Sequence, residues 1–343
     1  MRETKIVKIT DENDIRISEL GGIIRAGGLV CFPTETVYGL GANAFDENAA
    51  YKVFEAKGRP SDNPLIVHLS DISQLETVAR EVPEEAYKLF EAYSPGPLTV
   101  ILKKKETLPA AVTAGLDTVA VRIPSHPIAR ALINAAGVPI AAPSSNLSGK
   151  PSPTKAEHVI ADMNGRVDAI IDGGMCSVGV ESTVVELAKG TVNILRPGGI
   201  TKTDLLKVID EVKIDRHVTE QVAEGEKPKS PGMKYKHYAP DAEVTVIAGD
   251  KQKTFDEIRS RITDDKETVI GVMCYDGFAF DAETVLYMGD DNISYAERLF
   301  DALRQFDLLG VKKVYAQFEE DEDYGLAVRN RLYKAAGGRV IHI

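Results

Sequence analysis

Short runs of aliphatic and β-branched residues alternate along this chain with segments in which apolar residues recur every three or four positions. The first pattern indicates buried strands, and the second indicates helices with one apolar face. Strands separated by helices fold into sheets that carry helices on their faces, so the alternation predicts an α/β fold. Up to residue 210 the predicted strands are 29–32, 65–69, 98–102, 119–123, 169–172, 183–187 and 192–195, and helices are predicted at 46–56 and 154–163.

A composition change divides the chain of 343 residues, a length that by itself suggests two domains. Residues 227–240 carry three prolines, one glycine and four lysines, which is typical of a linker. We therefore predict a first domain at 1–210, a linker at 211–242 and a small three-layer α/β domain at 243–343. In the last of these the predicted strands are 244–248, 269–273, 285–287, 314–318 and 340–343, with helices up to about 262, at 294–308 and at 326–336.

The formal net charge is −11, from 41 Lys and Arg against 52 Asp and Glu. A protein that coats nucleic acid or anionic lipid needs a broad basic face, so this charge argues against both partners. Residues 241–343 contribute −8 of the total, residues 1–210 contribute −4, and residues 211–240 contribute +1. The near balance of the first domain leaves room for a local cationic pocket.

The chain carries the marks of a cytoplasmic protein. No apolar stretch approaches the roughly 20 residues that a membrane span needs. Residues 1–16 are charged throughout and lack the apolar core of a secretory signal. Cys31, Cys176 and Cys274 lie far apart without a CxxC pair, so we expect reduced thiols and no protein-bound metal.

Cations near predicted strand ends indicate an anion site in the first domain. Lys57 and Arg59 flank a glycine after a predicted helix and suit phosphate or carboxylate oxygens, although the same residues also offset a helix dipole. Arg122 and Arg196 each close a predicted strand. His68 also ends a strand, where a lone histidine is more often structural.

A loop of small polar residues follows at 141–154, with Ser144, Asn146 and Ser152 on a backbone shaped by proline and glycine. Such a loop approaches a phosphate or a base edge closely, but it also fits an ordinary turn that caps a helix. The glycines at 39 and 41 match a dinucleotide fingerprint only loosely, because six residues separate them from the preceding strand. We find no Ser-His-Asp, Cys-His or paired-carboxylate arrangement.

Eight short motifs follow one another in order along the first domain. They are FPTETVYGLG at 32–41, KGR at 57–59, NPLIVH at 63–68, SPGPLT at 94–99, VAVRIP at 119–124, APSSN at 142–146, VEST at 180–183 and LRPG at 195–198. Together they resemble the motifs of the YrdC-like threonylcarbamoyl-adenylate synthases. SPGMKYKHYAP at 230–240 resembles the linker of the long, two-domain form. The resemblance implies a YrdC-like twisted mixed sheet with helices on its faces, plus a smaller Rossmann-like three-layer α/β C-terminal domain. Ser145 departs from the family pattern, in which alanine is frequent.

The activity that this resemblance implies is nucleotidyl transfer. L-threonine, bicarbonate and ATP give threonylcarbamoyl-AMP and pyrophosphate, with Mg²⁺ bridging the triphosphate. Other proteins then transfer the threonylcarbamoyl group to tRNAs that read codons beginning with A, so this chain itself needs no stable contact with nucleic acid. Two further readings stay open: a non-enzymatic RNA-binding protein on the same fold, and a carbamoyl-phosphate-using maturation enzyme, whose zinc-finger and acylphosphatase-like modules we do not find in this sequence.

The resemblance also assigns residues to ligands. Those implied for L-threonine are Thr34, His68, Arg122 and Ser182. Those implied for ATP are Lys57, Arg59, Asn63, Thr118, Ala142, Ser144, Asn146, Ser152, Arg196 and Tyr238. Lys57 and Arg59 are the implied catalytic residues, and the linker would fold over the ATP pocket with Tyr238 near the nucleotide.

Overall fold

The structure is a computed structural model that describes residues 3–188, 190–218, 238–265 and 269–343. These residues form two compact units. The first unit contains the described residues up to Ser148, Pro153–Ser177 and those from Glu181 to 218. The second unit contains Gly149–Ser152, Val178–Val180 and the described residues from Tyr238 onward. Two short segments from the middle of the chain therefore belong to the C-terminal unit.

The first unit is built on a sheet of twelve strands among the described residues. The strands are β1 (Lys5–Lys8), β2 (Val30–Phe32), β3 (Gly39–Asn43), β4 (Ile66–His68), β5 (Ala79–Arg80), β6 (Leu98–Lys104), β7 (Thr118–Arg122), β8 (Ile140–Ala141), β9 (Ala169–Asp172), β10 (Thr183–Ala188), β11 (Thr191–Arg196) and β12 (Glu211–Ile214). The helices are α1 (Arg16–Arg25), α2 (Glu47–Lys57), α3 (Leu75–Val78), α4 (Glu84–Tyr93), α5 (Ala110–Thr113), α6 (Pro127–Ala136), α7 (Ala156–Met163) and α8 (Lys202–Leu205).

Along the sheet the order is β1-β9-β2-β3-β8-β4-β7-β6-β10-β11-β12, and β5 pairs with β6. Parallel and antiparallel neighbours both occur, for example β4 with β7 and β6 with β7. The predicted α/β fold with a mixed sheet is confirmed. All seven strands predicted for this part of the chain are present, and none of their ends differs from the prediction by more than two residues.

Strand β3 is not among the predicted strands because its glycines suggest a turn. These glycines instead leave space for the Phe32 side chain of the neighbouring strand. A Cβ on Gly39 would lie 3.0 Å from a ring atom of Phe32, and a Cβ on Gly41 would lie 2.9 Å from one. Phe32 pairs directly with Gly39 across β2 and β3, and its ring occupies the space of the missing side chains. The loose dinucleotide fingerprint is therefore a packing feature.

The predicted linker begins with ordered structure. Glu211–Ile214 forms strand β12, which pairs in parallel with β11 at the edge of the first sheet. Only one side chain of this strand is buried, so its sequence lacks the apolar run that predicts a strand. Residues 219–237, which include most of the SPGMKYKHYAP segment, lie outside the described residues.

Two apolar cores cover opposite faces of the first sheet. One lies under α1 and α6, where a Cβ on Gly21 would meet the backbone of Ala135 at 2.5 Å, so the two helices pack closely. The larger core lies on the other face and receives residues of α2, α4 and α7. Helix α2 begins as predicted, with the Asp46 side chain accepting bonds from the backbone amides of Asn48 and Ala49.

The second unit contains a parallel sheet in the order β15-β14-β16-β13-β17. Its elements are β13 (Glu243–Ala248), α9 (Lys251–Asp264), β14 (Ile270–Cys274), β15 (Thr284–Tyr287), α10 (Asn292–Leu308), β16 (Lys313–Phe318), α11 (Tyr324–Ala335) and β17 (Val340–His342).

Helices lie on both faces of this second sheet. Val272 packs in a cluster with Ile258 of α9, whereas a Cβ on the adjacent Gly271 would meet the Phe306 ring of α10 at 2.5 Å. Because successive strand residues point to opposite faces, α9 and α10 cover different sides of the sheet. The expected three layers are confirmed. Among the described residues, no helix combines the length and the apolar character that a membrane span requires.

The two mid-chain segments of the second unit, Gly149–Ser152 and Val178–Val180, pack on α10. The guanidinium of Arg304 donates to the carbonyl oxygen of Pro151 from Nε at 3.2 Å and from Nη2 at 2.6 Å. A Cβ on Gly179, whose φ is +75°, would lie 2.3 Å from the Cα of Glu297. The backbone at 178–180 thus touches the helix backbone with no space for a side chain.

We expect Gly179→Ala to destabilise the protein by about 3 kcal/mol, because it adds a clash with the α10 backbone to the strain of a positive φ. Gly174→Ala is the matched control: Gly174 also has a positive φ, +87°, but a Cβ there meets nothing within 4 Å. The control should lose only about 1 kcal/mol. Denaturant unfolding followed by circular dichroism measures both, and equal losses would contradict the close approach at Gly179.

Candidate functional site

Four buried polar side chains occupy one face of the first sheet. His68, Arg122, Thr99 and Ser182 each lie two residues from a member of a small apolar cluster formed by Ile66, Ala120, Ile101, Val184 and Leu195. Residues two apart on a strand share a face, so the polar side chains project from the same side as this cluster. The register places His68 beside Arg122 on one side and Thr99 beside Arg122 on the other.

The strongest interaction at this face is an ion pair between Arg122 and Glu35. Nη2 of Arg122 lies 2.7 Å from Oε1 of Glu35, and the two side chains are only 5% and 6% exposed. Burial of the two charges is tolerated because each neutralises the other. Within the described part of the chain, Glu35 Oε2 and Arg122 Nε have no hydrogen-bond partner. One acceptor of the pair, Glu35 Oε2, and one donor, Arg122 Nε, are therefore available to a ligand.

Glu35 belongs to a tightly held loop between β2 and β3. The hydroxyl of Thr34 lies 2.6 Å from the carbonyl oxygen of Val37 and donates to it, and it lies 2.9 Å from the hydroxyl of Thr36. The loop is tied to its surroundings at Tyr38, whose hydroxyl donates to the carbonyl of Gly174 at 2.6 Å. Thr34 is itself buried, so its hydroxyl and the Glu35 carboxylate are positioned before any ligand arrives.

His68 is a neutral group. Burial and, to a lesser extent, the positive charge of Arg122 lower its pKa to about 3. Its Nδ1 lies 3.2 Å from the carbonyl oxygen of Ile66, and the ring meets the Phe32 ring edge-on at a centroid distance of 6.1 Å. A fixed neutral imidazole supplies a hydrogen bond rather than a charge.

Ser182 joins Thr99 to Arg196. Its hydroxyl lies 2.8 Å from the hydroxyl of Thr99 and accepts from Nη2 of Arg196 at 3.1 Å. Nε of Arg196 also donates to the backbone carbonyl of Ser182 at 3.0 Å. The Arg196 cation is thus held beside the polar face, at the carboxyl end of β11.

A second polar cluster surrounds Lys57, the last residue of α2. Its buried ammonium donates to the carbonyl oxygens of Ser144 and Asn146, the latter at 2.7 Å, and to Oδ1 of Asn146 at 3.3 Å. The hydroxyl of Ser144 donates to the same Oδ1 at 2.6 Å. The structure therefore brings Lys57 together with Ser144 and Asn146, which follow it in the sequence by 87 and 89 residues.

The loop that holds Ser144 and Asn146 runs beside the Thr34–Glu35 loop. The amide of Ser145 donates to the carbonyl of Tyr38 at 2.9 Å, and Ser144 forms a backbone bridge with Gly39. The two polar clusters are therefore neighbours within one unit, joined by backbone hydrogen bonds.

Asn63 has a buried side-chain amide whose hydrogen-bonding atoms are both unsatisfied among the described residues. Its side chain is 0% exposed, and neither Oδ1 nor Nδ2 has a partner in the part of the chain that the structure describes. Its backbone carbonyl lies 3.4 Å from Nη2 of Arg59. Buried amide groups are rarely left unsatisfied, because desolvating one without compensation costs about 1–3 kcal/mol. We therefore expect a ligand to bind Asn63.

Four predicted site residues stand apart. Thr118 begins β7, roughly 13 Å along the strand from Arg122 but on the same face. Ala142 packs its methyl group in a core and donates its amide to the Ile66 carbonyl at 2.9 Å, so only its backbone carbonyl is offered to a ligand. Ser152 and Tyr238 belong to the second unit, and their place beside ATP stays a prediction.

Two residues at this face are not predicted from the sequence to be site residues. Thr99 and Glu35 lie inside motifs that resemble the family, but no local pattern marks them as site residues. Glu35 is recognised only by its partner Arg122, which is 87 residues away in the chain. The local feature at Glu35, a carboxylate between two threonines beside a buried strand, does not by itself mark a site.

The arrangement suits anion binding and positioning. Cationic, hydroxyl and amide groups dominate, and burial raises the pKa of the thiols of Cys31 and Cys176, so neither is a ready nucleophile. Over residues 3–188, 190–218, 238–265 and 269–343, no three His, Cys, Asp or Glu side chains group as a metal site would require.

Two family models cover most of the chain. Residues 22–198 match the model of the Sua5, YciO and YrdC proteins, described as "Telomere recombination". Residues 200–337 match the model described as "Threonylcarbamoyl-AMP synthase, C-terminal domain".

Full-length relatives agree with these matches. The threonylcarbamoyl-AMP synthase of Pyrococcus abyssi is 50% identical over 333 residues, or 97% of each chain. That of Bacillus subtilis is 48% identical over 343 residues, or 98% of each chain. The crystal structure of P. abyssi Sua5 complexed with L-threonine is similar with a TM-score of 0.92 and 47% identity, covering 99% of this chain and 100% of that one.

We expect Asn63→Leu to leave the free energy of unfolding unchanged or to raise it by about 1 kcal/mol, since leucine is nearly isosteric and removes an unsatisfied amide. The same substitution should weaken ATP binding. Denaturant unfolding and calorimetric titration with ATP measure the two effects.

Asn146→Leu is the control for this prediction. The Asn146 amide donates to the Leu147 carbonyl at 2.8 Å and accepts from Lys57 and Ser144, so its loss should destabilise the fold. If Asn63→Leu destabilised the protein as strongly as Asn146→Leu, Asn63 would be an internal structural residue.

Proposed function

Because this chain belongs to the Sua5/YrdC family of threonylcarbamoyl-AMP synthases, we propose that it joins L-threonine, bicarbonate and ATP into threonylcarbamoyl-AMP and releases pyrophosphate. The observation that carries the proposal is the set of buried polar atoms without partners, at Glu35, Arg122 and Asn63, beside fixed cations. Such atoms are what a preformed site offers to a polar ligand.

L-threonine would bind at the polar face of the first sheet. Arg122 provides the charge and the planar donors that a carboxylate prefers. Thr34, Ser182 and the neutral His68 provide the hydrogen bonds that a hydroxyl requires. A site built to hydrogen-bond a hydroxyl rejects an analogue that lacks it far better than an apolar pocket rejects a small change in size. This supports selection of threonine over valine.

ATP would bind at the neighbouring cluster. Lys57, Arg59 and Arg196 are the cations for its phosphates, and Asn63, Ser144 and Asn146 add amide and hydroxyl groups. Thr118, the Ala142 backbone, Ser152 and Tyr238 complete the proposed nucleotide contacts. Tyr238 has a φ of +65°, a conformation that non-glycine residues rarely adopt and that is enriched at functional sites.

Mg²⁺ would enter with the nucleotide. This ion is commonly held by substrate phosphates, waters and one or two carboxylates rather than by a protein cage. The groups proposed to bind ATP are cations, amides and hydroxyls, which fit phosphate oxygens. The Mg²⁺ ion itself would be bound by the triphosphate. When bound, the ion offsets phosphate charge; the residues of this chain orient the phosphates around it.

The reaction requires positioning more than a nucleophilic side chain. The threonine amine and bicarbonate form an N-carboxylate with loss of water. One oxygen of this N-carboxylate attacks the α-phosphorus, and the bond to the β-phosphate oxygen breaks so that pyrophosphate leaves with the electron pair. Lys57 and Arg59 would neutralise the charge that develops on the phosphates. The main contribution of the protein to the rate would be to hold the two anions, the N-carboxylate and the triphosphate, in contact.

The product is a mixed anhydride of a carbamic acid and AMP, which reacts readily with water. We propose that downstream threonylcarbamoyl-transferase proteins accept it and modify tRNA, which places the chain in the cytoplasm with them. The three free cysteines are compatible with that reducing compartment.

We expect the purified chain to release pyrophosphate from ATP and Mg²⁺ only when L-threonine and bicarbonate are both present, because the N-carboxylate is the attacking group. Valine should react at least about 100-fold more slowly, since it lacks the hydroxyl. Arg122→Lys should raise the KM for threonine, since lysine cannot grip a carboxylate with two parallel bonds. A coupled pyrophosphate assay and mass spectrometry of the product measure these effects.

Pyrophosphate release that ignored threonine or bicarbonate would contradict the proposal. An inactive chain that instead bound RNA with a steep salt dependence would support the RNA-binding reading.

A further inference from the structure

Glu35 adds a carboxylate to the face that holds Arg122. We propose that Glu35 Oε2 binds the ammonium group of the substrate amino acid, while Oε1 positions Arg122 for the substrate carboxylate. The inference rests on the proposed function and extends it to a carboxylate for which the resemblance implies no role.

The geometry leaves one carboxylate oxygen of Glu35 unused. Nη2 of Arg122 donates to Oε1 at 2.7 Å, so the contact is a single bond rather than a two-bond clamp. Oε2 is buried and has no donor among the described residues. An ionised carboxylate only accepts hydrogen bonds, so this oxygen calls for a donor, and a cationic donor gives the strongest bond.

The charge of the site also fits a zwitterion. Arg122 and Glu35 together carry no net charge, and a free amino acid adds one positive and one negative group. In the proposed complex its carboxylate would bind Nε of Arg122 and its ammonium would bind Oε2 of Glu35, the two atoms that have no partner among the described residues. The ligand then satisfies both buried atoms without leaving an excess charge in a desolvated site.

His126, the histidine next to Glu35, does not donate a hydrogen bond to Oε2. The negative charge of Glu35 acts on His126 and partly opposes the lowering of its pKa by burial, so the two side chains are near each other. Even so, Nδ1 of His126 has no hydrogen-bond partner in the described residues, and Oε2 stays unbound. The bond from the Thr34 hydroxyl to the Val37 carbonyl holds the loop that carries Glu35, and the bond from Arg122 holds its Oε1.

A purely structural role makes a different prediction. If Glu35 only holds Arg122, its loss would weaken every ligand that Arg122 binds through a carboxylate. If Oε2 binds the ammonium, its loss would weaken only ligands that carry an amine. (R)-3-hydroxybutanoate is threonine without the amino group and separates the two cases.

The experiment compares calorimetric or competitive binding of L-threonine and (R)-3-hydroxybutanoate to the full chain and to Glu35→Gln. Glutamine keeps an oxygen for Arg122 and removes the negative charge. We expect threonine affinity to fall by about 10- to 100-fold and hydroxybutanoate affinity to stay within about twofold. In steady-state assays the KM for threonine should rise more than kcat falls.

Two further variants keep the test decisive. Asp168→Asn is the control, because Asp168 is a carboxylate of the same unit that accepts from the backbone amide of Leu29 at 2.7 Å, and it should change neither affinity. If Glu35→Gln does not fold, Glu35→Asp is the alternative, because it keeps the negative charge on a side chain that is one methylene shorter. This variant too should lower the affinity for threonine more than the affinity for hydroxybutanoate.

Equal losses for both ligands, or no loss for either, would overturn the role of Oε2 while leaving the synthase reading intact. Failure of the unchanged protein to bind threonine at all would overturn the proposed function and this inference together.

Discussion

Burial of the Arg122–Glu35 ion pair is the constraint on which the rest of the site depends. Two opposite charges lie almost fully desolvated on the face of a sheet, 2.7 Å apart, and each offsets the cost of burying the other. The Arg122 charge helps to keep His68 neutral, and the Thr34 loop holds the Glu35 partner. Around this pair the fold keeps polar atoms unsatisfied, at a cost in stability that a ligand would remove.

The second constraint is electrostatic and acts over the whole chain. The first unit collects Lys57, Arg122 and Arg196 at one polar region. In the second unit Asp250, Asp276 and residues 319–323 follow the carboxyl ends of β13, β14 and β16, which run in parallel and therefore share one sheet edge. The excess acid of the chain thus belongs to a different unit from the cations. A net charge of −11 is compatible with a site for two anions.

Sequence patterns predict the elements of this fold well where strands are buried on both faces, as at Ala169–Asp172, whose bounds match the prediction. They miss β1 and β12, because these edge strands bury few side chains, and they miss β3, because Gly39 and Gly41 yield their space to Phe32. The cations of the site are predictable, since each closes a strand or helix. Glu35 and Thr99 are not, because their importance comes from partners that are distant in the chain.

A crystal structure of this chain with L-threonine and a non-hydrolysable ATP analogue tests most directly where the substrates bind. We expect the amino acid to contact Arg122 Nε and Glu35 Oε2, the nucleotide to contact the Asn63 amide, and the backbone of the first unit to move by less than about 1 Å, as expected for a preformed site. Ligands bound elsewhere, with those three groups still unpartnered, would show that the buried polar atoms of the first unit do not form the substrate site.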